Sequence, residues 1–316
     1  MPQPTQSQVH VDAILTNISV AYMQKADAFI ATKVFPIVPV DKQSNLYFTY
    51  TKNDWFRDEA AVRADATESA GSGYNLGTDN YFAPVYAIHK DIGDQTRANA
   101  DIPLNMDRDA TEFVTSRLML REEVQWVSDY FKTGVWGTDV TPANLWSDYT
   151  LSDPLTDIET GKEKILSTTG YEANTLVLGY QVFRQLKNHP DIVDRYKYTS
   201  AEAITEDMMA ALFGVEKVLV AKAIKATNAE GQTGVYAFTH GKNALLCYSA
   251  PAPSLLAPSA GYIFAWRGVS EGLGQNIGVK SIPMPWIGAT RIEGQIAFVD
   301  KVVGSDLGYF FNGAVA

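Results

Sequence analysis

Residues 35–131 read FPIVPVDKQSNLYFTYTKNDWFRDEAAVRADATESAGSGYNLGTDNYFAPVYAIHKDIGDQTRANADIPLNMDRDATEFVTSRLMLREEVQWVSDYF, and this stretch decides the fold. Two aromatic-rich strand candidates, Leu46–Thr51 and Tyr81–His89, flank a long polar segment, and a long helix follows. Loops longer than about 12–15 residues without structure of their own are uncommon inside a compact domain. A loop of this length between two strands reads as a projection that finds its burial partner on another molecule. The pattern points to a self-assembling building block rather than an enzyme.

Within the projection, Lys52–Asp79 is dominated by charged residues, Gly, Ser, Thr and Ala, and Gly71-Ser-Gly73 marks a flexible tip. Acids and bases alternate in DWFRDEAAVRAD, which suits ion pairs across a subunit boundary. The candidate interface residues are Trp55, Arg57, Asp58, Glu59, Arg63, Asp65 and Glu68. Pro84 confines the second strand to a sheet edge. A two-stranded flap buries too little surface to stand alone, so it is expected to order only on a neighbour.

The helix is expected over about 107–133. Asn105 or Asp107 caps it, Asp109 and Glu112 favour its first turn, and Gly134 stops it. Roughly 27 residues at about 1.5 Å each give about 40 Å, the length of a spine across a flat subunit. Phe113, Leu120, Val124, Val127 and Phe131 recur at helical spacing, and Arg117 interrupts the stripe. A charge on an apolar face needs a partner, so Arg117 is expected to meet a carboxylate, within the subunit or from a neighbour's loop, and joins the interface candidates.

Outward from this block, residues 1–45 read as an arm. Pro2, Pro4, Pro36 and Pro39 punctuate it, and one short amphipathic helix is expected within Ile18–Phe29, with Ala21, Tyr22, Lys25 and Phe29 near one face. The rest is extended and packs along something else; VFPIVPV is too apolar for a disordered tail. Later segments alternate. A helix ends near Gly170, a strand and helix fill TLVLGYQVFRQLK, and a helix runs to Gly214 before a strand at Lys217–Ala223. Further strands are expected at NALLCYS and GYIFAWRG, with two more after Arg291 separated by Gly304-Ser305-Asp306. The fold class is α+β, without internal repeats.

Composition excludes several classes. The 316 residues carry a formal charge of -10, with no basic cluster of the kind that neutralises phosphates. Unassembled subunits are therefore expected not to hold DNA tightly. No apolar run reaches the 18 or so residues of a membrane span. Met1–His10 lacks the basic start of a secretory signal, and the arm-like sequence begins so early that the finished protein is expected to keep its N-terminus. Cys247 sits in an apolar run and reads as a buried hydrophobe. His10, His89, His189 and His240 are scattered, without metal-ligand spacing, and read as surface or strand-end residues. Phosphate-binding and nucleophile-elbow motifs are absent. The carboxylates of DWFRDE and LREEV alternate with arginines, as solvated or interface pairs do. No catalytic residue, cofactor or metal is expected.

Several segments resemble the major capsid proteins of tailed phages with the Hong Kong 97-type shell fold. ATKVFPIVPVDKQSNLYFTYTKNDWFRDEA is similar to their arm and first loop strand, and TESAGSGYNLGTDNYFAPVYAIHKDIGDQTRANAD to the returning half of the extended loop. LNMDRDATEFVTSRLMLREE resembles the start of their spine helix. TLVLGYQVFRQLKNHPDIVDRYKY resembles part of the axial domain, and IPMPWIGATRIEGQ the return to the peripheral domain. The resemblance implies an arm (1–45), an extended loop (46–100), a peripheral domain with the spine helix (101–164 and 286–316) and an axial domain (165–285). It further implies hexamers and pentamers in an icosahedral head, assembled in the bacterial host's cytoplasm, that encloses double-stranded DNA. Portal, decoration or scaffolding proteins are the implied further partners, and no membrane is involved. Some members cross-link a loop lysine to a neighbour's asparagine, and Lys52 and Lys90 are the candidates here. An encapsulin-like compartment subunit, which packages enzymes, is the alternative within the same fold.

Overall fold

The computed structural model describes residues 24–50, 52–100, 105–196, 204–253, 258–269 and 277–316. Most of the helix expected within Ile18–Phe29 lies outside them; Ala26–Ala28 form a single 3-10 turn. After the short helix α1 (Ala31–Val34) come β1 (Ile37–Val40), β2 (Ser44–Tyr50) and α2 (Lys52–Trp55). The chain returns through β3 (Leu76–Phe82) and β4 (Val85–Gly93) to α3 (Asp94–Ala98) and the long helix α4 (Met106–Tyr130). Next are β5 (Thr138–Val140), α5 (Pro154–Thr169), β6 (Thr175–Gly179), α6 (Tyr180–Lys187), α7 (Pro190–Tyr196) and α8 (Glu206–Phe213). The remaining strands are β7 (Lys217–Ala221), β8 (Ile224–Ala226), β9 (Tyr236–Phe238), β10 (Ala244–Cys247) and β11 (Gly261–Trp266). β12 (Ile277–Met284), β13 (Ala289–Val302) and β14 (Gly308–Phe311) close the chain.

Local chemistry accounts for many of the ends. Asp153 accepts the Thr156 N–H at the start of α5, which ends in Gly170 at φ 73°. Thr205 accepts the Met208 N–H at the start of α8, and Gly214 at φ 61° ends it. Both glycines occupy the left-handed region that a side chain would resist. Asn105 accepts the Arg108 N–H at 3.1 Å and opens α4. That helix stops at Tyr130, short of the expected 133, because the Trp136 indole N–H takes the Tyr130 carbonyl at 2.7 Å.

Two main sheets share the core. In the first, the long β13 is flanked by β12 on one side and β4 on the other, then continues beside β11, which pairs in parallel with β1. The second has the order β5-β14-β10-β6-β7, and β6, β10 and β14 are buried along their whole length. Near-continuous apolar runs suit such doubly covered strands. The expected boundary at 285 does not coincide with this division. β11 and β12 belong to the helix-bearing sheet, whereas β5 and β14 belong to the other.

Three expectations need correction. The strand candidate Tyr81–His89 is two strands: Pro84 has no N–H to pair, and the chain changes partner there, from β2 to β13. VFPIVPV packs on the subunit's own body, through β1 and the buried Val34 and Phe35, as do Phe29 and Ile30 before it. The buried face of α4 is not the expected stripe but Ala110, Val114, Leu118, Glu122, Trp126 and Tyr130, with Glu123 beside it. Phe113 lies on the exposed side.

The helix approaches β13 closely at Gly294, where an added Cβ would stand 2.3 Å from Val114 Cγ1 and 2.8 Å from Leu118 Cδ1. Gly294→Ala is therefore expected to displace α4 at a cost of about 1–3 kcal/mol, read as a lower melting temperature. An unchanged melting curve would show that the helix slides without cost.

Candidate assembly surface

β2 and β3 pair antiparallel from Ser44 opposite Phe82 to Tyr50 opposite Leu76. Residues opposite one another share a face, and faces alternate along each strand. One face carries Tyr47, Asp79 and Tyr81 and lies on the body. Tyr81 stacks on Phe264 at 4.8 Å, Tyr47 meets the same ring at 5.4 Å, and the Tyr47 hydroxyl donates to Asp79 at 2.7 Å. That hydrogen bond holds the Asp79 carboxyl below its usual range. The root of the hairpin is thus anchored within the subunit, contrary to the expectation that the flap orders only on a neighbour. The other face carries Leu46, Phe48, Tyr50, Leu76 and Phe82, all exposed, with Leu46 at 62% and Phe48 at 59%. A contiguous apolar patch of this kind marks an interaction site.

At the far end of the hairpin, Tyr50, Trp55 and Tyr74 gather with ring centroids 5.7–6.0 Å apart. Asp54 Oδ2 accepts from the backbone and side-chain nitrogens of Asn75 at 2.8 and 3.1 Å and ties the two limbs together. Lys52 reaches Asp306 of the body at 2.5 Å. Beyond this clasp every residue from 55 to 75 is exposed, and apart from Trp55 at the end of α2 none lies in a helix or strand.

The loop candidates Trp55, Arg57, Asp58, Glu59, Arg63, Asp65 and Glu68 therefore share one exposed segment. Arg57 and Glu59 pair at 3.6 Å, and Arg63 donates to the Thr67 carbonyl. Asp58, Asp65 and Glu68 form no ion pair among the described residues. Arg117 is not brought to them by the fold. It stands on the exposed side of α4, its guanidinium 5.1 Å from the centre of the Phe113 ring. Lys90 approaches that ring at 5.5 Å, and Arg121 lies over Tyr86 at 4.7 Å. Among the described residues of the subunit Arg117 meets no carboxylate, and its exposed side chain does not require one.

Some buried chemistry was invisible in the sequence. Glu122 and Glu123, read there as solvated or interface charges, lie in the core, and so do His189 and His240. Ser152, His189 and Asp191 form a triad-like array, with Ser152 Oγ 3.0 Å from His189 Nε2 and His189 Nδ1 3.6 Å from Asp191 Oδ2. Its protons run the wrong way for a nucleophile. Ser152 donates to the Asp148 carbonyl at 2.6 Å, and the Asp191 N–H donates to His189 Nδ1 at 3.3 Å. The array pins the start of α7 to the 148–152 turn. Burial pushes the Cys247 thiol up to about 12. Among the described residues no group of three His, Cys, Asp or Glu is placed to hold a metal, and no helix is long and apolar enough to cross a membrane.

No protein-family model matches the chain. It is 25% identical over 314 residues to the major capsid protein of Burkholderia phage BcepMu, covering 96% of each chain. It is 27% identical over 335 residues to the major capsid protein of Pseudomonas phage JBD67, covering 97% of each. Among solved structures, a phage-related protein from Bordetella bronchiseptica matches with TM-score 0.70 and 24% identity over 92% of this chain and 94% of that one. The mature capsid of bacteriophage PhiM1 matches at TM-score 0.64 and 10% identity, over 96% and 92%. An encapsulin from Synechococcus elongatus matches at 0.59 and 12%, over 96% and 93%.

Proposed function

We propose that this chain, a relative of phage major capsid proteins with their fold, is the major capsid protein of a tailed double-stranded DNA bacteriophage, self-assembling into its icosahedral head. The observation that carries the reading is the similarity to two phage major capsid proteins along almost the whole chain. The bare apolar face of the hairpin supports it physically, because a surface of this kind is stable when a second copy covers it. The role is structural rather than catalytic. The chain forms hexamers and pentamers, with an arm, an extended loop, and peripheral and axial regions whose limits follow the two sheets rather than a boundary at 285, and with portal and decoration or scaffolding proteins as further partners. The fold is shared with encapsulins, but the chain's 25% and 27% identities are to phage capsid proteins, which favours a DNA-filled head over an enzyme compartment. Electron microscopy of particles from infected cells tests the reading. Shells holding nucleic acid density are expected; shells with protein cargo favour the compartment, and a small stable oligomer overturns both.

The exposed loop separates folding from assembly. Each exposed ion pair is worth only about 0–1 kcal/mol, but a closed shell repeats every contact in every subunit. Replacing Asp58–Tyr74 with a short Gly-Ser linker is expected to leave near-native circular dichroism and to stop shell closure. Aggregated product would place the loop in the core, and normal particles would make it decoration.

A further inference from the structure

The arm meets the long helix through Phe35, whose ring lies 6.0 Å from Trp126 and 4.8 Å from Tyr130, and through the Glu123 carboxylate. The N–H groups of Ile30 and Ala31 both donate to Glu123 Oε2, each at 2.9 Å. Glu123 is fully buried, and its neighbour Glu122 is nearly so. Phe29, Ala31, Lys33 and Ile37 face Glu122 and Glu123 across a cleft of about 420 Å³. Glu122 Oε1, Glu123 Oε1 and both oxygens of the buried Asp300 have no hydrogen-bond partner among the described residues.

The charged and titratable groups around the pair come from every element packed there. The arm contributes Asp27 and Lys33, β13 contributes Asp300, and α4 itself contributes Asp129 and Tyr130. The segment between β9 and β10 contributes His240, whose Nδ1 is 3.7 Å from Glu123 Oε1. Burial pushes His240 down to about 3, so it supplies no positive charge. Lys33 is 44% exposed and shared with Asp27 at 3.8 Å. Three buried acids thus face one half-solvated cation, and they cannot all be ionised cheaply.

We propose that the junction between the arm segment Ala26–Phe35 and α4 is a proton-operated latch. It is closed while Glu122 carries a proton and Glu123 holds the Ile30 and Ala31 amides as an anion, and it opens when both are ionised. Glu123 has two N–H donors that favour its charge, and Glu122 has none among the described residues, so the proton resides on Glu122. Burial, then the charge of Glu123, raises Glu122 to about 7; burial raises Glu123 to about 7 against its two amide bonds. With the arm lifted, both carboxylates meet water and return toward the ordinary 4.5. The closed state therefore binds more protons between those values. The extra stability of the closed state is present at low pH and is lost as pH rises from about 4.5 through about 7. The latch belongs to the folded subunit and does not depend on shell assembly, so its failure would leave the proposed function untouched.

Hydrogen exchange of the full-length subunit at pH 6.0 and 8.5, corrected for intrinsic chemical rates, tests it. In the wild type, protection of peptides spanning residues 26–36 is expected to fall by about tenfold, because opening gains about one decade over the unit between pH 6.0 and the closed-state value of about 7 and levels off above it. Peptides of β6 and α6 serve as the folding control and should keep their protection. Glu122→Gln should hold the arm at both pH values, within about twofold, and Asp300→Asn should reduce the pH response. Glu123→Gln should weaken arm protection at both. Arm protection that ignores pH in the wild type overturns the proposal. So does Glu122→Gln titrating like wild type, Glu123→Gln leaving the arm protected, or the control peptides losing protection along with the arm.

Discussion

Phe48→Glu combined with Leu76→Glu is expected to give a folded, soluble subunit that no longer forms particles. Both side chains stand on the outer face of the β2–β3 hairpin and are more than half exposed, so the subunit's buried core is not disturbed. Burying a large apolar side chain stabilises by about 1.5–3 kcal/mol, and burying an unpaired carboxylate is costly. Each 1.4 kcal/mol is about a tenfold change in affinity, so two such changes at one contact weaken it by well over 100-fold. Symmetry repeats that loss at every copy. Light scattering should find no multi-megadalton species, while thermal melting stays within a few degrees of wild type. Normal particles would show that this face remains bare in the assembly, and an unfolded product would show that it supports the fold.

Trp126→Ala is expected to cost about 3–5 kcal/mol, close to the whole stability of many domains. Trp126 is fully buried, and its ring lies 6.0 Å from Phe35 of the arm, 5.5 Å from Tyr130, 5.9 Å from Phe131 and 5.4 Å from His240. Phe131 in turn meets Phe310 of the second sheet at 5.3 Å, so Trp126 joins arm and helix directly and reaches the second sheet through Phe131. Its indole N–H has no hydrogen-bond partner among the described residues. Trp126→Phe removes that unsatisfied donor along with part of the ring volume, and the two changes offset, so its cost should be less than half that of the alanine variant. Denaturant unfolding of both variants measures the difference. Equal losses would mean that the indole nitrogen matters more than the packing.

Much of the architecture was legible before any coordinates. The helix start at Asn105 and the glycine stops at Gly170 and Gly214 depend on groups within a turn or two of each other, so the chain states them locally. The long helix, the exposed loop and the charged segment that fills it were legible for the same reason. The buried face of the helix was not. A reading that scores only apolar residues rejects a face bearing Glu122 and Glu123 and prefers the one bearing Phe113. The burial of Glu123 is compensated by the Ile30 and Ala31 amides, more than 90 residues away in the chain. Arg117 was misplaced by the same error. The exchange of partners at Pro84 was half visible: proline signalled an interruption, but only β13 shows where the chain goes next.

What the sequence by itself determined was the α+β class, the element types and the long polar loop, because short-range hydrogen bonding and steric preference set each of these, and the family resemblance, which rests on the length and order of the matching segments. Which side of the hairpin is bare, which helix face is buried and which acids share a proton were decided by the tertiary structure. Each of those depends on what a distant segment places opposite, and burial and desolvation exist only once that partner has arrived.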